Sequence, residues 1–177
     1  PAIGHLIALR GFHQENWTGT PPTDQEIQYW VNKQPKMQDI QVHGWTLSSL
    51  NNAVKIELGG IAKGYALHEA IKLLQAQNIQ HAIVNAGGDI ATLGKPLNRH
   101  WQFTIQQPNN QDIVATLQLN ADETVFTSGN YARFFDYQGK RYHHLIHPKN
   151  GCPANGFSSV TVIHHDAITT PRQPPYW

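Results

Sequence analysis

The sequence predicts an α+β domain, with one strand–helix–strand (βαβ) unit followed by an antiparallel, strand-rich second half. Three observations carry this reading. Residues 54–94 run as an apolar strand, a glycine pair, an amphipathic helix, a second apolar strand and a second glycine pair. From Trp101 onward, short alternating segments are separated by turn residues, the pattern of hairpins. With 177 residues, 40% hydrophobic and 14% charged, the chain has enough apolar material for the core of one ordinary domain.

The elements follow in order. Residues 1–10 are apolar and enter Gly11-Phe12. Thr20-Pro21-Pro22 interrupts the chain. Thr23 with Glu26 has the spacing of a capping box, and Ile27, Trp30 and Val31 then share one helical face until Pro35 ends it. Segments 40–42 and 45–47 flank His43-Gly44 as a hairpin. Asn51-Asn52 turns into a strand over 54–58. The helix expected after Lys63 carries the stripe Ala66, Leu67, Ala70, Ile71 and Leu74, with Asn78 as its C-terminal cap. Residues 81–84 read as a short buried strand, and a crossover of this length favours parallel pairing with 54–58. Strands are expected over 101–106, 114–119 and 124–127, a hairpin around Gln138-Gly139, and a last strand over 159–163. The tail, 171–177, holds Pro171, Pro174 and Pro175 and cannot continue a helix or a central strand.

Charge bounds the partners. Lys plus Arg total 13 against 12 for Asp plus Glu, so the chain lacks the basic excess of a nucleic-acid or acidic-membrane binder. No apolar run reaches about 18 residues, the length a spanning helix needs. The single cysteine, Cys152, excludes an intramolecular disulfide framework and reads as a bystander in a Gly-Cys-Pro turn. The chain opens on Pro1 without a Lys/Arg-led signal segment, so its start reads as processed, trimmed or internal.

The motifs point to a nucleotide or phosphate-bearing ligand. Gly59-Gly60-Ile61-Ala62-Lys63-Gly64 fits neither the P-loop nor the dinucleotide glycine spacing. A lysine there can neutralise a phosphate or bond a flavin or purine carbonyl; the alternative is a tight turn with a solvated lysine. Asn85-Ala86-Gly87-Gly88-Asp89 is a second glycine turn at a strand's C-terminal end, either a ligand edge or a turn capped by Asp89. The 127–135 segment, with Arg133 among aromatics, can hold a phosphate or stack a ring, or can pair its arginine with a carboxylate. His143 and His144 are adjacent, so on a strand they face opposite sides and cannot chelate one metal together. The same holds for His164 and His165. A single imidazole bonding a phosphate, a carbonyl or a loop is favoured over His-bound zinc. Glu57, at the inner end of its strand, serves either an ion pair or a ribose or ring contact.

Taken in order, six segments resemble the FAD:protein FMN transferase family, also called ApbE and formerly termed thiamine biosynthesis lipoprotein. They are Pro1-Ala2-Ile3-Gly4 through Gly11-Phe12; Ile56-Glu57-Leu58-Gly59-Gly60-Ile61-Ala62-Lys63-Gly64-Tyr65-Ala66; Val84 through Ile90; Trp101 through Pro108; Thr127-Ser128-Gly129-Asn130-Tyr131 with Arg133-Phe134; and Tyr142 through Pro153. The resemblance implies a T-fold-like mixed sheet. It implies Mg2+-dependent transfer of FMN from FAD to a threonine or serine of a flavin-accepting protein, with release of AMP. Glu57, Lys63, Leu145 and Ile146 would contact FAD, with Asn85, Asp89, Arg133 and His144 in matching segments. Gly60 would offer a backbone carbonyl to the metal.

Three departures stand out. Glu57 replaces an aspartate of the same charge. His147 replaces an acid before Pro148. After Val160-Thr161-Val162-Ile163 and Asp166-Ala167 the family continues with an Asp and a Thr as metal ligands, whereas here Thr169-Thr170 enters the proline-rich tail. The chain therefore reads as the central portion of a longer family domain. Apolar surface left by missing ends would favour self-association. The parent would be a periplasmic or membrane-anchored bacterial lipoprotein. A flavin-binding remnant without catalytic activity is the alternative to the transferase.

Overall fold

A computed structural model describes residues 2–14, 17, 19–96, 99–108 and 112–168. Among these lie α1 (Gly4–Leu9), α2 (Asp24–Val31), β1 (Ile40–His43), β2 (Thr46–Ser49), α3 (Gly59–Ala76), β3 (Ala82–Ala86), β4 (Asp89–Leu93), β5 (Trp101–Gln106), β6 (Ile113–Leu119), β7 (Thr124–Gly129), β8 (Phe134–Tyr137), β9 (Lys140–His143) and β10 (Ser159–His164). They form two compact units. The first takes the described residues of 1–58 and 130–156, and the second those of 59–129 and from Phe157 onward.

In the first unit, the Thr23–Glu26 capping box starts α2 as the sequence predicts. Glu26 N–H donates to Thr23 Oγ1 at 3.3 Å, and Thr23 N–H donates to Glu26 Oε2 at 2.8 Å. The Thr23 N–H foremost, and the Thr23 hydroxyl donating to the same oxygen at 2.8 Å, hold the Glu26 carboxyl below its ordinary pKa. The α1 and α2 helices meet through a His5–Trp30 stack with centroids 3.9 Å apart, above buried Leu6 and Ile27. The β1–β2 hairpin turns through Gly44-Trp45, since His43 pairs with Thr46, one position later than expected. Gly44, at φ +58, supplies the left-handed residue such a tight turn requires. The β8–β9 hairpin turns at Gln138-Gly139 as expected, both with positive φ.

In the second unit, one sheet has the order β10-β7-β4-β3 with every pair antiparallel. The β5–β6 hairpin is separate and carries a register shift between Ile105 and Gln106. Leu67 of α3, Ala91 of β4, Phe126 of β7 and Ala167 form the buried cluster, with Ile71, Val84 and Ala86 packed against it. Burying a leucine such as Leu67 contributes about 2 kcal/mol. The helix ends as expected: Asn78 takes φ +59, and Ile79 N–H returns to Leu74 O at 3.0 Å.

The α+β class stands, but three elements differ from expectation. The βαβ unit is absent: from 54–58 only Lys55 forms a bridge, parallel to Ile3, while β3 pairs antiparallel with β4. The reason is local. Gly87 and Gly88, at φ +65 and +96, reverse the chain at once, and closing that short hairpin costs less entropy than a crossover. Second, β3 is the sheet's edge and alternates half-buried with exposed residues. The buried strand is β4. Third, α3 begins at Gly59 rather than after Lys63. Its glycines fall in the first two turns, and Lys63 lies inside the helix instead of in a turn. The proline-rich tail and Thr169-Thr170 lie outside the described residues.

Candidate functional site

The expected site residues fall into two clusters, one in each unit. In the second unit, Lys63 of α3 pairs with Asp89, the first residue of β4. Asp89 is 4% exposed, while the Lys63 side chain is 51% exposed. Asp89 Oδ1 also accepts Thr127 N–H of β7 at 3.3 Å. A buried carboxylate needs such partners to stay charged; here it joins helix, central strand and neighbouring strand. Asn85 closes the turn beside it, its Oδ1 accepting Gly88 N–H at 2.8 Å. A Cβ at Gly60, Gly87 or Gly88 would meet nothing within 4 Å, so all three backbones face open space that a ligand can approach. This fits a phosphate-bearing ligand: a fixed, half-exposed ammonium with donors to spare, a helix start, and unobstructed glycine backbone.

In the first unit, Arg133 donates through Nη2 to the Phe12 carbonyl. Among the described residues the ion pair of this stretch is that of Arg141, whose Nε–H lies 3.1 Å from Asp136 Oδ1 and whose guanidinium covers Phe134 at 3.7 Å. The Arg133 carbonyl accepts the His144 backbone N–H at 3.2 Å, and His144 Nδ1 lies 3.2 Å from the same oxygen. Phe12 is edge-on to His144 and tilted against Phe135, which stacks on Tyr142 at 5.2 Å. Leu145 O accepts Ala154 N–H at 2.9 Å, and buried Ile146 bridges to Pro153. Glu57 is half-buried and acts electrostatically on His144. Burial, the largest influence, lowers the His144 pKa below its ordinary value, so the ring is neutral near pH 7. His143 behaves alike for the same reason.

Sequence reasoning missed three contributors and weighed a fourth, His143, only as one of two adjacent imidazoles. Thr127 acts through its amide, which no side-chain pattern reveals. Phe12 acts through its carbonyl. Arg10 is 2% exposed and donates from Nε to Gly151 O at 2.8 Å; burial lowers its pKa. A lone arginine closing an apolar run was the available signal. His143 is buried, and among the described residues its Nδ1 has no partner. Among the described residues no group of three or more His, Cys, Asp or Glu converges as a metal site. The positions where the resemblance expects side-chain metal ligands lie outside the described residues.

Known proteins share the sequence and the fold of this chain. The ApbE family model matches residues 1–170. The FAD:protein FMN transferase of Rhodobacter capsulatus is 38% identical over 167 residues, covering 92% of this chain and 31% of that protein. The transferase of Vibrio cholerae is 33% identical over 175 residues, covering 94% and 51%. Among solved structures, the apbe protein of Thermotoga maritima superposes with TM-score 0.88 at 34% identity, covering 97% of this chain and 56% of that one. The flavin transferase ApbE from Vibrio cholerae gives 0.79 at 29% identity, covering 96% and 54%. The chain thus spans about half, or less, of the length of the relatives it matches. With both its sequence and its fold shared along nearly its whole length, this chain belongs to the ApbE family.

Proposed function

We propose that this chain handles FAD in an FAD:protein FMN transferase. The observation that carries the reading is the Lys63–Asp89 pair: a cation fixed by a buried carboxylate and left half-exposed beside open glycine backbone. In the reaction, a threonine or serine hydroxyl of the acceptor protein attacks the phosphorus on the FMN side of the FAD pyrophosphate. The bond from that phosphorus to the bridging oxygen breaks, and AMP leaves with that oxygen. Lys63 would donate to FAD, and Asp89 would aim it. In the first unit, taken by itself, Arg133 and the aromatic rings beside it are groups able to hold a phosphate or stack a ring.

Magnesium belongs to the reading as a companion of the pyrophosphate; when bound it would offset charge on the departing AMP. The carbonyl of Gly60 would be its donor from the described residues. Self-association is part of the same proposal, supported by the exposed Val42, Trp45, Leu47 and Leu50 in and after the β1–β2 hairpin. So is a bacterial periplasmic or membrane-anchored parent, which rests on the resemblance.

The test is a fluorescence titration of FAD into the chain with magnesium and then with EDTA, followed by an assay of AMP release with an acceptor protein present. Magnesium-dependent quenching with AMP release supports the transferase. Binding that ignores magnesium and yields no AMP would replace it with a flavin-binding module. No binding would overturn the assignment of FAD to these residues.

A further inference from the structure

The sequence holds two Asn-Gly pairs, Asn150-Gly151 and Asn155-Gly156. A glycine after asparagine leaves its amide nitrogen unshielded beside the carboxamide carbon, because no side chain stands between them. Whether the two groups react depends on whether the fold lets them meet.

The environments of the pairs are opposite. Gly151 is buried, and its N–H donates to His147 O at 2.8 Å. Its carbonyl is held by Arg10 Nε–H at 2.8 Å. Asn150 Oδ1 accepts Cys152 N–H at 3.0 Å. The attacking amide and the carboxamide it would attack are both committed. Asn155 and Gly156 are both exposed, Gly156 takes φ +114, and a Cβ there would meet nothing within 4 Å. Among the described residues neither has a hydrogen-bond partner.

We propose that Asn155 is a site of spontaneous deamidation and that the fold protects Asn150. The Gly156 main-chain nitrogen, its proton passed to hydroxide, attacks Asn155 Cγ. The Cγ–Nδ2 bond breaks, ammonia leaves, and a five-membered succinimide closes. Water then opens the ring at either carbonyl, giving aspartate or isoaspartate. The net change is ammonia lost and water gained, with no oxidant or reductant. The product carries a new carboxylate and, as isoaspartate, one more main-chain carbon, at the point where the chain passes from the first unit to the second. An isoaspartyl carboxylate is a substrate for a carboxyl methyltransferase using S-adenosylmethionine, the partner class this site would recruit.

The experiment ages the whole folded chain at mildly alkaline pH and follows both peptides by mass spectrometry. The Asn155 peptide should convert at least about tenfold faster than the Asn150 peptide, the factor one engaged amide provides against local opening. Hydroxylamine, which cleaves succinimides, should cut the aged chain after Asn155. Gly156→Ala should slow conversion at Asn155 and leave Asn150 unchanged. In urea the two rates should converge. Equal rates in the folded chain, an intact Asn155, or a rate gap that persists in urea would each overturn the proposal.

Discussion

The two units hold their inward-facing polar groups in different ways. In the second, charge meets charge: Lys63 and buried Asp89 reach each other from a helix and a strand. In the first, apart from the exposed Arg141–Asp136 pair, cations are tied to main-chain carbonyls, Arg10 to Gly151 and Arg133 to Phe12, and among the described residues His143 keeps an unpaired buried nitrogen. A side-chain pair is broken by one substitution without unfolding its surroundings. A cation on a carbonyl depends on the path of the backbone, so its loss is felt as stability first and as binding second.

The largest expected effect tests the carbonyl-tied side of this contrast. Arg10→Ala removes a buried stem and orphans the Gly151 carbonyl, and should lower unfolding free energy by about 3 kcal/mol. Urea denaturation measures it; a loss below about 1 kcal/mol, the worth of an ordinary hydrogen bond, would mean that Arg10 ties nothing down. Next, Asp89→Asn keeps an acceptor for the Thr127 amide but discharges the pair, and should cost about 1–2 kcal/mol. Its effect on FAD affinity separates positioning from packing. Lys63→Ala should weaken binding about tenfold, the worth of one charge-assisted bond. Adding Asp89→Asn to that variant should weaken binding no further. An additive double variant would show that Asp89 meets the ligand itself.

A smaller, pH-dependent effect should be confined to the first unit. The folded pKa values of His143 and His144 lie below the ordinary 6.5, chiefly through burial. Between those values and 6.5 the unfolded chain binds more protons than the folded one, so stability is full above about 6.5 and falls as pH drops through this window. Hydrogen exchange should show the 143–154 amides loosening on acidification before those of β4 and β7. Uniform loosening would erase the contrast between the units. Smallest of all, Gln138→Gly should stabilise the β8–β9 hairpin by about 0.5–1 kcal/mol, because Gln138 pays for φ +49 that glycine adopts freely. Thermal denaturation would detect it.

What the sequence made legible follows from how local each signal is. The capping box at Thr23 and Glu26, the Asn78 cap and the Gln138-Gly139 turn depend on near neighbours and were readable. The pairing of β3 depends on which of two apolar neighbours it meets, and periodicity does not contain that choice. The same limit applies to the site. Lys63 and Asp89 stood out as residues, each in a glycine-rich segment, but the meeting of Asp89 with the Thr127 amide is a product of the sheet order. Arg133 stood out too, yet its partner is a carbonyl that every residue carries, so no pattern of side chains could name Phe12.

The interleaving of the units has a consequence for biosynthesis. Residues 1–58 of the first unit are made before the second, but that unit is complete only when the 130–156 segment has emerged, and the second waits for β10, whose partner β7 precedes it by about thirty residues. Neither can be finished while the other is still unmade. A nascent chain therefore carries two half-built cores at once, and β7 travels with one edge open until its last partner leaves the ribosome.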